Sequence, residues 1–183
     1  YSMDGKTKTQ ISKGNYEVTE INGVDEANKR IFYTMAYPRP MDRNLFVTDF
    51  AGKKTTQLTQ GEAWHRTVLN SNFTQFYDYR SDLNTPQIVS LNSIVADKKK
   101  GISTAVVKTV NENPKLKGKI EEYGIAKAEF IKVPNSKGDT LNGWMLKQAN
   151  FDPSKKYPVL FCNYGGPGSQ QVANRSGSVS MWH

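Results

Sequence analysis

A glycine-rich loop follows the most apolar segment of the chain, and this pair is the first candidate for chemistry. The apolar segment is YPVLFCNY at 157–164, and the loop continues as GGPGS at 165–169. A short continuous apolar run indicates a strand buried on both faces, as in an α/β sheet. Such sheets bind ligands beyond the carboxyl ends of their strands, where glycine lets the backbone approach a ligand closely.

Two kinds of chemistry compete for this loop. Phosphate binding is disfavoured, because Lys-Ser or Lys-Thr would follow the last glycine, whereas the sequence has Ser169-Gln170. Pro167 also removes an N–H donor. The alternative places Tyr164 at the mouth of the strand, where its hydroxyl would donate to a developing oxyanion. From these residues alone, a Tyr164 that only caps the core with its hydroxyl in water remains open and is the more common case.

Other catalytic and metal-binding patterns are missing from the sequence. There is no G-x-S-x-G nucleophile motif, and one cysteine with two histidines leaves too few ligands for a zinc or His-rich site. Cys162 is predicted to be a small buried hydrophobe in the strand. Trp64 and His65 are predicted to lie in a loop between strand groups. The serines near the end are predicted to be loop residues: Ser169, Ser176, Ser178 and Ser180.

The net charge of +8 raises the question of nucleic-acid binding. The lysines are mostly scattered, and the densest run, Lys98-Lys99-Lys100, lies between two strand-like segments and precedes Gly101. That placement is typical of a hairpin turn. No arginine–aromatic ladder is present, so we expect no nucleic-acid partner. No apolar run approaches 18 residues, so we expect no membrane span.

The elements that would position the loop begin with strands throughout residues 1–110. Alternating β-branched and aromatic residues predict eight strands, at 16–21, 30–37, 44–50, 55–59, 66–70, 75–79, 87–91 and 102–106. Phe32 and Phe76 are 44 positions apart, and Leu45 and Ile88 are 43 positions apart. A four-strand unit at this period indicates β-propeller blades; the alternative is one eight-stranded antiparallel sandwich.

A short, polar outer strand in each group favours blades, since the edge of a blade must be blunted. Two blades do not close a propeller, so we expect further chain upstream. After residue 110, Asn113-Pro114 predicts a helix start, followed by a short helix at 115–123. Strands at 128–134 and 141–147 then form a hairpin before the apolar segment.

Four segments resemble one known family. Residues 157–170, YPVLFCNYGGPGSQ, resemble the strand and loop of the prolyl oligopeptidase superfamily, and more closely those of the dipeptidyl peptidase IV family. The approach FDPSKKYP at 151–158 resembles the same family. ISKGNYEV at 11–18 resembles its I-T-K-G-x-W-E-V blade opening, and RNLF at 43–46 resembles its R-N-L-Y strand.

The resemblance implies a fold class and domain boundaries. The chain would be mainly β, with the last two four-stranded blades of a β-propeller at 1–110 and a connector at 111–126. The opening strands of an α/β-hydrolase domain would follow at 127–183. The chain would therefore be a piece of a longer protein.

The resemblance also assigns a role to Tyr164. In that family the tyrosine of the Y-x-G-P loop donates its hydroxyl to the oxyanion hole, beside the N–H after the nucleophile. The triad of Ser, Asp and His lies downstream, beyond His183, so His183 is not the catalytic base. The acidic pair that captures the substrate's amino group lies upstream, and nothing here, Glu62 included, matches it. The chain alone would be inactive. Residues 174–180 fit the family poorly.

The function implied is that of a serine exopeptidase that releases Xaa-Pro or Xaa-Ala dipeptides from peptide N-termini. Peptides with Pro or Ala second would be its partners, with no cofactor and no metal. A periplasmic, secreted or cell-surface location follows from the family, and a homodimer is an expectation for the whole protein. Two alternatives stay open: a propeller scaffold protein with a degenerate hydrolase domain, and an acylaminoacyl-peptidase-like enzyme.

Overall fold

The fold is mainly β, and its described residues form two four-stranded sheets, a hairpin and one helix. A computed structural model describes residues 4–97, 99–163, 166, 168 and 170–177. The elements in these residues are β1 (Val18–Asp25), β2 (Arg30–Met35), β3 (Asn44–Asp49), β4 (Thr55–Gln57), β5 (Trp64–Leu69), β6 (Gln75–Ser81), β7 (Ile88–Asp97), β8 (Gly101–Asn111), α1 (Pro114–Glu122), β9 (Ala128–Pro134) and β10 (Thr140–Leu146).

The first eight strands form two separate antiparallel meanders. Their orders are β1-β2-β3-β4 and β5-β6-β7-β8, so each strand pairs with the next one in sequence. This arrangement confirms the two predicted groups of four strands and has the topology of propeller blades rather than of one continuous sandwich. We call the two meanders the first and second blades.

The outer strands of the two blades differ from each other. β4 is short, as predicted, with three residues, but β8 has eleven and is the longest strand among the described residues. The prediction of a short outer strand is therefore wrong for the second blade. The reason lies in β7, which extends to Asp97 and pairs with β8 along nearly its whole length, so the hairpin satisfies its own backbone groups.

An apolar core lies between the two blades. The first blade contributes Phe32, Leu45, Val47 and Leu58, and the second contributes Phe76 and Ile94. Phe32 is fully buried, and its ring stacks on Phe73 with the centroids 5.1 Å apart. The period-2 alternation of β2 and β3 sends Tyr33, Met35 and Phe46 to the opposite face, where they form a second cluster. The central strands β2 and β3 are thus buried on both faces of the first blade.

The backbone of Arg43, just before β3, is hydrogen-bonded to the chain at the start of β5. The Arg43 N–H donates to the Ala63 carbonyl, and the His65 N–H donates back to the Arg43 carbonyl, each at 3.0 Å. A hydrogen bond from the Thr104 hydroxyl to the Leu58 carbonyl, at 2.8 Å, joins the outer strands. These bonds fix the second blade against the first at two places.

The lysine run lies at the β7–β8 turn, as predicted. One oxygen of Asp97 accepts the backbone N–H groups of Lys99 and Lys100, each at 2.7 Å. These bonds, with that of Lys100 the larger contribution, lower the pKa of the Asp97 carboxyl. Gly101 completes the turn with a φ of 86°. Lys98 lies outside the described residues.

The helix and the following hairpin also confirm their predictions. α1 starts with Pro114 directly after Asn113, which has a left-handed backbone and donates through its side chain to the Gln87 carbonyl. None of the residues of α1 is buried, and no helix in the described part of the chain is long and apolar enough to cross a membrane. β9 and β10 pair in register, from Ala128 opposite Leu146 to Pro134 opposite Thr140.

The β9–β10 hairpin packs on the second blade. Ala128 is buried against Leu83, with Trp144 beside them. The side chain of Asn84 binds both the N–H and the carbonyl of Ala128, at 2.9 Å each. The hairpin is therefore in direct contact with the second blade.

The predicted buried strand at 157–164 is wrong for its described part. Residues 157–163 form no strand, and Val159, Leu160 and Phe161 are 86%, 77% and 80% exposed. Cys162 is exposed as well, against the prediction that it is buried. A strand buried on both faces needs hydrogen-bonded neighbours on each side, and no described strand pairs with this segment.

The core between the blades yields the first prediction. We expect Phe32→Ala to lower the free energy of unfolding by about 3–5 kcal/mol, because it removes a fully buried ring and leaves a cavity. Urea denaturation measures the change. The matched control is Val106→Ala on the exposed face of β8, where we expect less than about 0.5 kcal/mol. Equal effects of the two substitutions would contradict an inter-blade core at Phe32.

Candidate functional site

The structure describes the segments on either side of the predicted oxyanion residue. Tyr164 itself lies outside the described residues, as do Ser169, Ser178, Ser180 and His183. The approach at 151–163 and the segment at 170–177 are described. The candidate site is therefore built from these two segments and from the blade surface that holds the second of them.

The approach segment is fixed by a polar turn. The backbone N–H of Asp152 donates to the Tyr157 hydroxyl at 3.0 Å, and the Tyr157 ring packs on Phe151 with centroids 5.1 Å apart. One oxygen of Asp152 accepts both the hydroxyl and the backbone N–H of Ser154, and these bonds lower the pKa of the Asp152 carboxyl. The turn predicted at 151–156 is thus present.

The segment at 170–177 is anchored to the first and second blades through Asn174. This side chain is 3% exposed. Its amide nitrogen donates to Asp42 Oδ1 at 2.8 Å and to the Glu62 carbonyl at 2.9 Å, and its Oδ1 accepts the Leu83 N–H at 3.0 Å. The Asn174 backbone N–H donates to the Met41 carbonyl at 2.9 Å. One buried side chain therefore joins three distant stretches of the chain.

A network of three charged side chains, Arg39, Asp42 and Glu62, holds the carboxylate to which Asn174 donates. Asp42 is fully buried and accepts two hydrogen bonds from Arg39, at 2.7 and 2.9 Å. Arg39 also forms an ion pair with Glu62 at 2.9 Å. The hydrogen bond that Arg39 donates to Asp42 is the main reason that the pKa of Arg39 is raised. Because Arg39 orients Asp42, the carboxylate presents its Oδ1 to Asn174.

The residues after Asn174 lie against β5 and β6 of the second blade. The Ser176 N–H donates to the Ser81 hydroxyl at 3.2 Å. The Arg175 guanidinium lies 5.3 Å from the centroid of the Trp64 ring, and that of Arg43 lies 4.6 Å from the same ring. Both distances fit cation–π contacts. Burial is the main reason that the pKa of Arg43 is lowered.

Trp64 and His65 are part of β5, so their predicted loop placement is wrong. His65 is 3% exposed, and its Nδ1 lies 2.8 Å from Asp78 Oδ2 on the neighbouring strand. His65 Nε2 has no hydrogen-bond partner among the described residues. The buried contact between His65 and Asp78 therefore joins β5 to β6 within the second blade.

Glu62, Ser176 and the other candidates do not assemble into a catalytic group here. Glu62 pairs with Arg39, and Ser176 contacts the blade only through its backbone N–H to Ser81. Within the described ranges no cluster of three or more His, Cys, Asp or Glu is placed to hold a metal ion. Glu62 and Ser176 instead help to anchor the segment at 170–177, which follows the glycine-rich loop.

The anchor itself is the functional feature that sequence reasoning missed. Asn174 and Asp42 are 132 positions apart, and no sequence pattern links the two. The nearest signal is RNLF at 43–46, directly after Asp42, but the resemblance there marks a strand and not its partner.

Comparisons with known proteins agree on one family. Residues 1–87 match the model of the dipeptidyl peptidase IV N-terminal region. Curated dipeptidyl peptidase 4 proteins from Arthroderma otae and Trichophyton rubrum are 33% identical over 94% of this chain and 32% identical over 99% of it. A crystal structure of Porphyromonas gingivalis dipeptidyl peptidase 4 matches 96% of the chain with a TM-score of 0.83 and 30% identity.

The chain covers only part of each of these proteins. It spans 22% of the Arthroderma protein, 23% of the Trichophyton protein and 24% of the Porphyromonas chain. The blades, the connector helix and the β9–β10 hairpin thus correspond to about a quarter of a longer molecule in those relatives.

The anchor yields the second prediction. We expect Asn174→Ala to lower the free energy of unfolding by about 2–4 kcal/mol, because the Leu83 N–H and Asp42 lose buried partners. Amide hydrogen exchange at Leu83 should accelerate in parallel. Urea denaturation and exchange mass spectrometry measure the two effects.

Asn163→Ala is the matched control, since Asn163 is exposed, and we expect its effect to stay within about 0.5 kcal/mol. Asn174→Asp tests the electrostatics, because it places a second carboxylate against Asp42. It should destabilise more at neutral pH than at a pH low enough to protonate carboxylates. An Asn174→Ala variant as stable as Asn163→Ala would argue against the anchor.

Proposed function

Because the chain belongs to the dipeptidyl peptidase IV family, we propose that the whole protein is a serine exopeptidase that releases dipeptides from peptide N-termini. The observation that carries the proposal is the match to dipeptidyl peptidase 4 proteins over 94–99% of this chain. The preferred substrates are peptides with Pro, and less well Ala, at the second position.

The proposed chemistry is acyl transfer to a serine. The serine hydroxyl gives its proton to a histidine that an aspartate orients, and its oxygen attacks the carbonyl carbon of the second residue of the peptide. The peptide bond to the third residue then breaks, the histidine gives the proton to the departing amine, and the dipeptide stays on the serine as an acyl-enzyme. Water then releases the dipeptide. The triad residues belong to parts of the parent protein outside this chain.

In this proposal Tyr164 supplies an oxyanion donor. Its hydroxyl donates to the carbonyl oxygen as negative charge develops there, beside a backbone N–H of the nucleophile loop. The Y-x-G-P spacing of 164–167 supports this role. The anchored segment at 170–177 supports it too, because it ties the chain just beyond the loop to both blades.

The proposed domain organisation follows from the same family. Residues 1–110 are the last two blades of a propeller, 111–126 are the connector, and 127–183 open the hydrolase domain. Peptides are the proposed partners, a homodimer is the proposed assembly, and a periplasmic, secreted or cell-surface location is proposed.

The third prediction tests both the reaction and the role of Tyr164. We expect the parent protein to hydrolyse a Gly-Pro-chromophore reporter and Tyr164→Phe to lower kcat by about 10²–10³-fold, because one oxyanion donor is lost. KM should change little, since the donor acts in the transition state. Steady-state kinetics measure both constants.

Tyr123→Phe is the control, because the Tyr123 ring is exposed at the end of α1, and it should leave both constants unchanged. If the parent cleaves the reporter and Tyr164→Phe is unimpaired, the peptidase proposal stands and the role of Tyr164 is wrong. A correctly folded parent that cleaves neither this reporter nor an Ala-Ala reporter would overturn the exopeptidase proposal in favour of a binding or scaffold protein.

A further inference from the structure

A cavity of about 300 Å³ opens between the second blade and the anchored segment at 170–177. Arg66, Tyr79 and Ser81 line it from β5 and β6, and Arg175 and Ser176 line it from the anchored segment. Two arginines from positions more than a hundred residues apart therefore line one concavity. We call it the Arg66–Arg175 pocket.

Aromatic rings hold both guanidinium groups in place. Arg66 lies opposite Tyr79 in the β5–β6 register, and its guanidinium is 4.4 Å from the centroid of that ring. Arg175 lies 5.3 Å from the Trp64 ring and is flanked by two docked residues, Asn174 and Ser176. Stacking on a ring leaves the edge of a guanidinium, which carries its N–H donors, free to face the cavity.

Three carboxylates of the two blades are engaged by other groups, and Glu20, which lines a second cavity with Arg66, forms no ion pair with it. Asp42 is bound by Arg39 and Asn174, Glu62 by Arg39, and Asp78 by His65. Neither Arg66 nor Arg175 forms an ion pair with any carboxylate in the part of the chain that the structure describes. The pocket thus presents two positively charged forks without a negative partner.

We propose that the Arg66–Arg175 pocket binds the C-terminal carboxylate of the peptide substrate. A carboxylate is planar and accepts paired hydrogen bonds from guanidinium groups, and two arginines that line one cavity can supply them. This inference rests on the proposed function. Cleavage after the second residue leaves the C-terminal carboxylate on the portion of the peptide that departs. Because the pocket binds that carboxylate, it selects for peptides short enough to place their C-terminus in it.

The fourth prediction compares pairs of Gly-Pro peptides that differ only in a C-terminal carboxylate or amide, over a series of lengths. At the length that spans the site and the pocket, we expect the parent protein to favour the acid about tenfold in kcat/KM, mainly through KM. The preference should shrink as salt is added. Arg66→Gln and Arg175→Gln should each reduce it, and the double variant should abolish it.

Two controls separate this inference from the proposed function. The Gly-Pro-chromophore reporter carries no carboxylate, so the kcat/KM of each variant for the acid and amide peptides is compared with the rate at which the same variant cleaves this reporter. Arg80→Gln removes an exposed arginine of β6 that does not line the pocket, and it should keep the preference for the acid. Isothermal titration calorimetry with the same acid and amide peptides measures binding without requiring catalysis.

Each outcome is decisive. Loss of the acid preference only in the Arg66 and Arg175 variants, by kinetics or calorimetry, supports the pocket. Equal kcat/KM and equal affinity for acid and amide at every length overturn it, as does a preference that survives in the double variant. A parent that cleaves no reporter overturns the peptidase proposal, and calorimetry then still decides the pocket.

Discussion

The buried amide of Asn174 is the interaction on which the arrangement of the candidate site depends. An amide taken out of water must recover its hydrogen bonds, or the free energy of unfolding falls by about 1–3 kcal/mol. Asn174 recovers them from Asp42, the Glu62 carbonyl and the Leu83 N–H. These partners come from the loop before β3, the loop before β5 and the loop after β6. The amide can be satisfied only when the two blades are correctly joined, so docking of the segment at 170–177 reports on the junction.

The same requirement explains the charged network beneath the amide. A buried carboxylate without a partner is costly, and Asp42 is fully buried. Arg39 binds it through two hydrogen bonds and extends to Glu62 at the surface, so the charge is compensated within one connected group. Because Asp42 and Glu62 are both bound to Arg39, neither carboxylate pairs with Arg66 or Arg175. Arg66 and Arg175 are left facing a cavity with no described carboxylate to neutralise them, which gives part of the +8 charge a defined location.

Much of the fold could be predicted because the strands carry local signals. Alternation in β2 and β3 separates Phe32 from Tyr33, and the structure buries these two side chains in different clusters. The spacing of 44 positions between Phe32 and Phe76 indicates the repeat, and both rings lie in the core between the blades. The start of α1 at Pro114 and the lysine turn after Asp97 are likewise set by residues next to each other in sequence.

The features that could not be predicted depend on distant partners. Apolar composition at 157–163 suggests a buried strand, yet burial requires neighbouring strands, and the described residues supply none. The sequence predicts a loop at His65, because the residue beside which His65 is buried, Asp78, lies on the adjacent strand thirteen positions away. Asn174 has the most distant partner, at 132 positions, and an asparagine in an irregular segment is ordinarily a turn residue. Local patterns thus specify the blades, whereas the contacts that join the blades to the site arise only once the chain has folded.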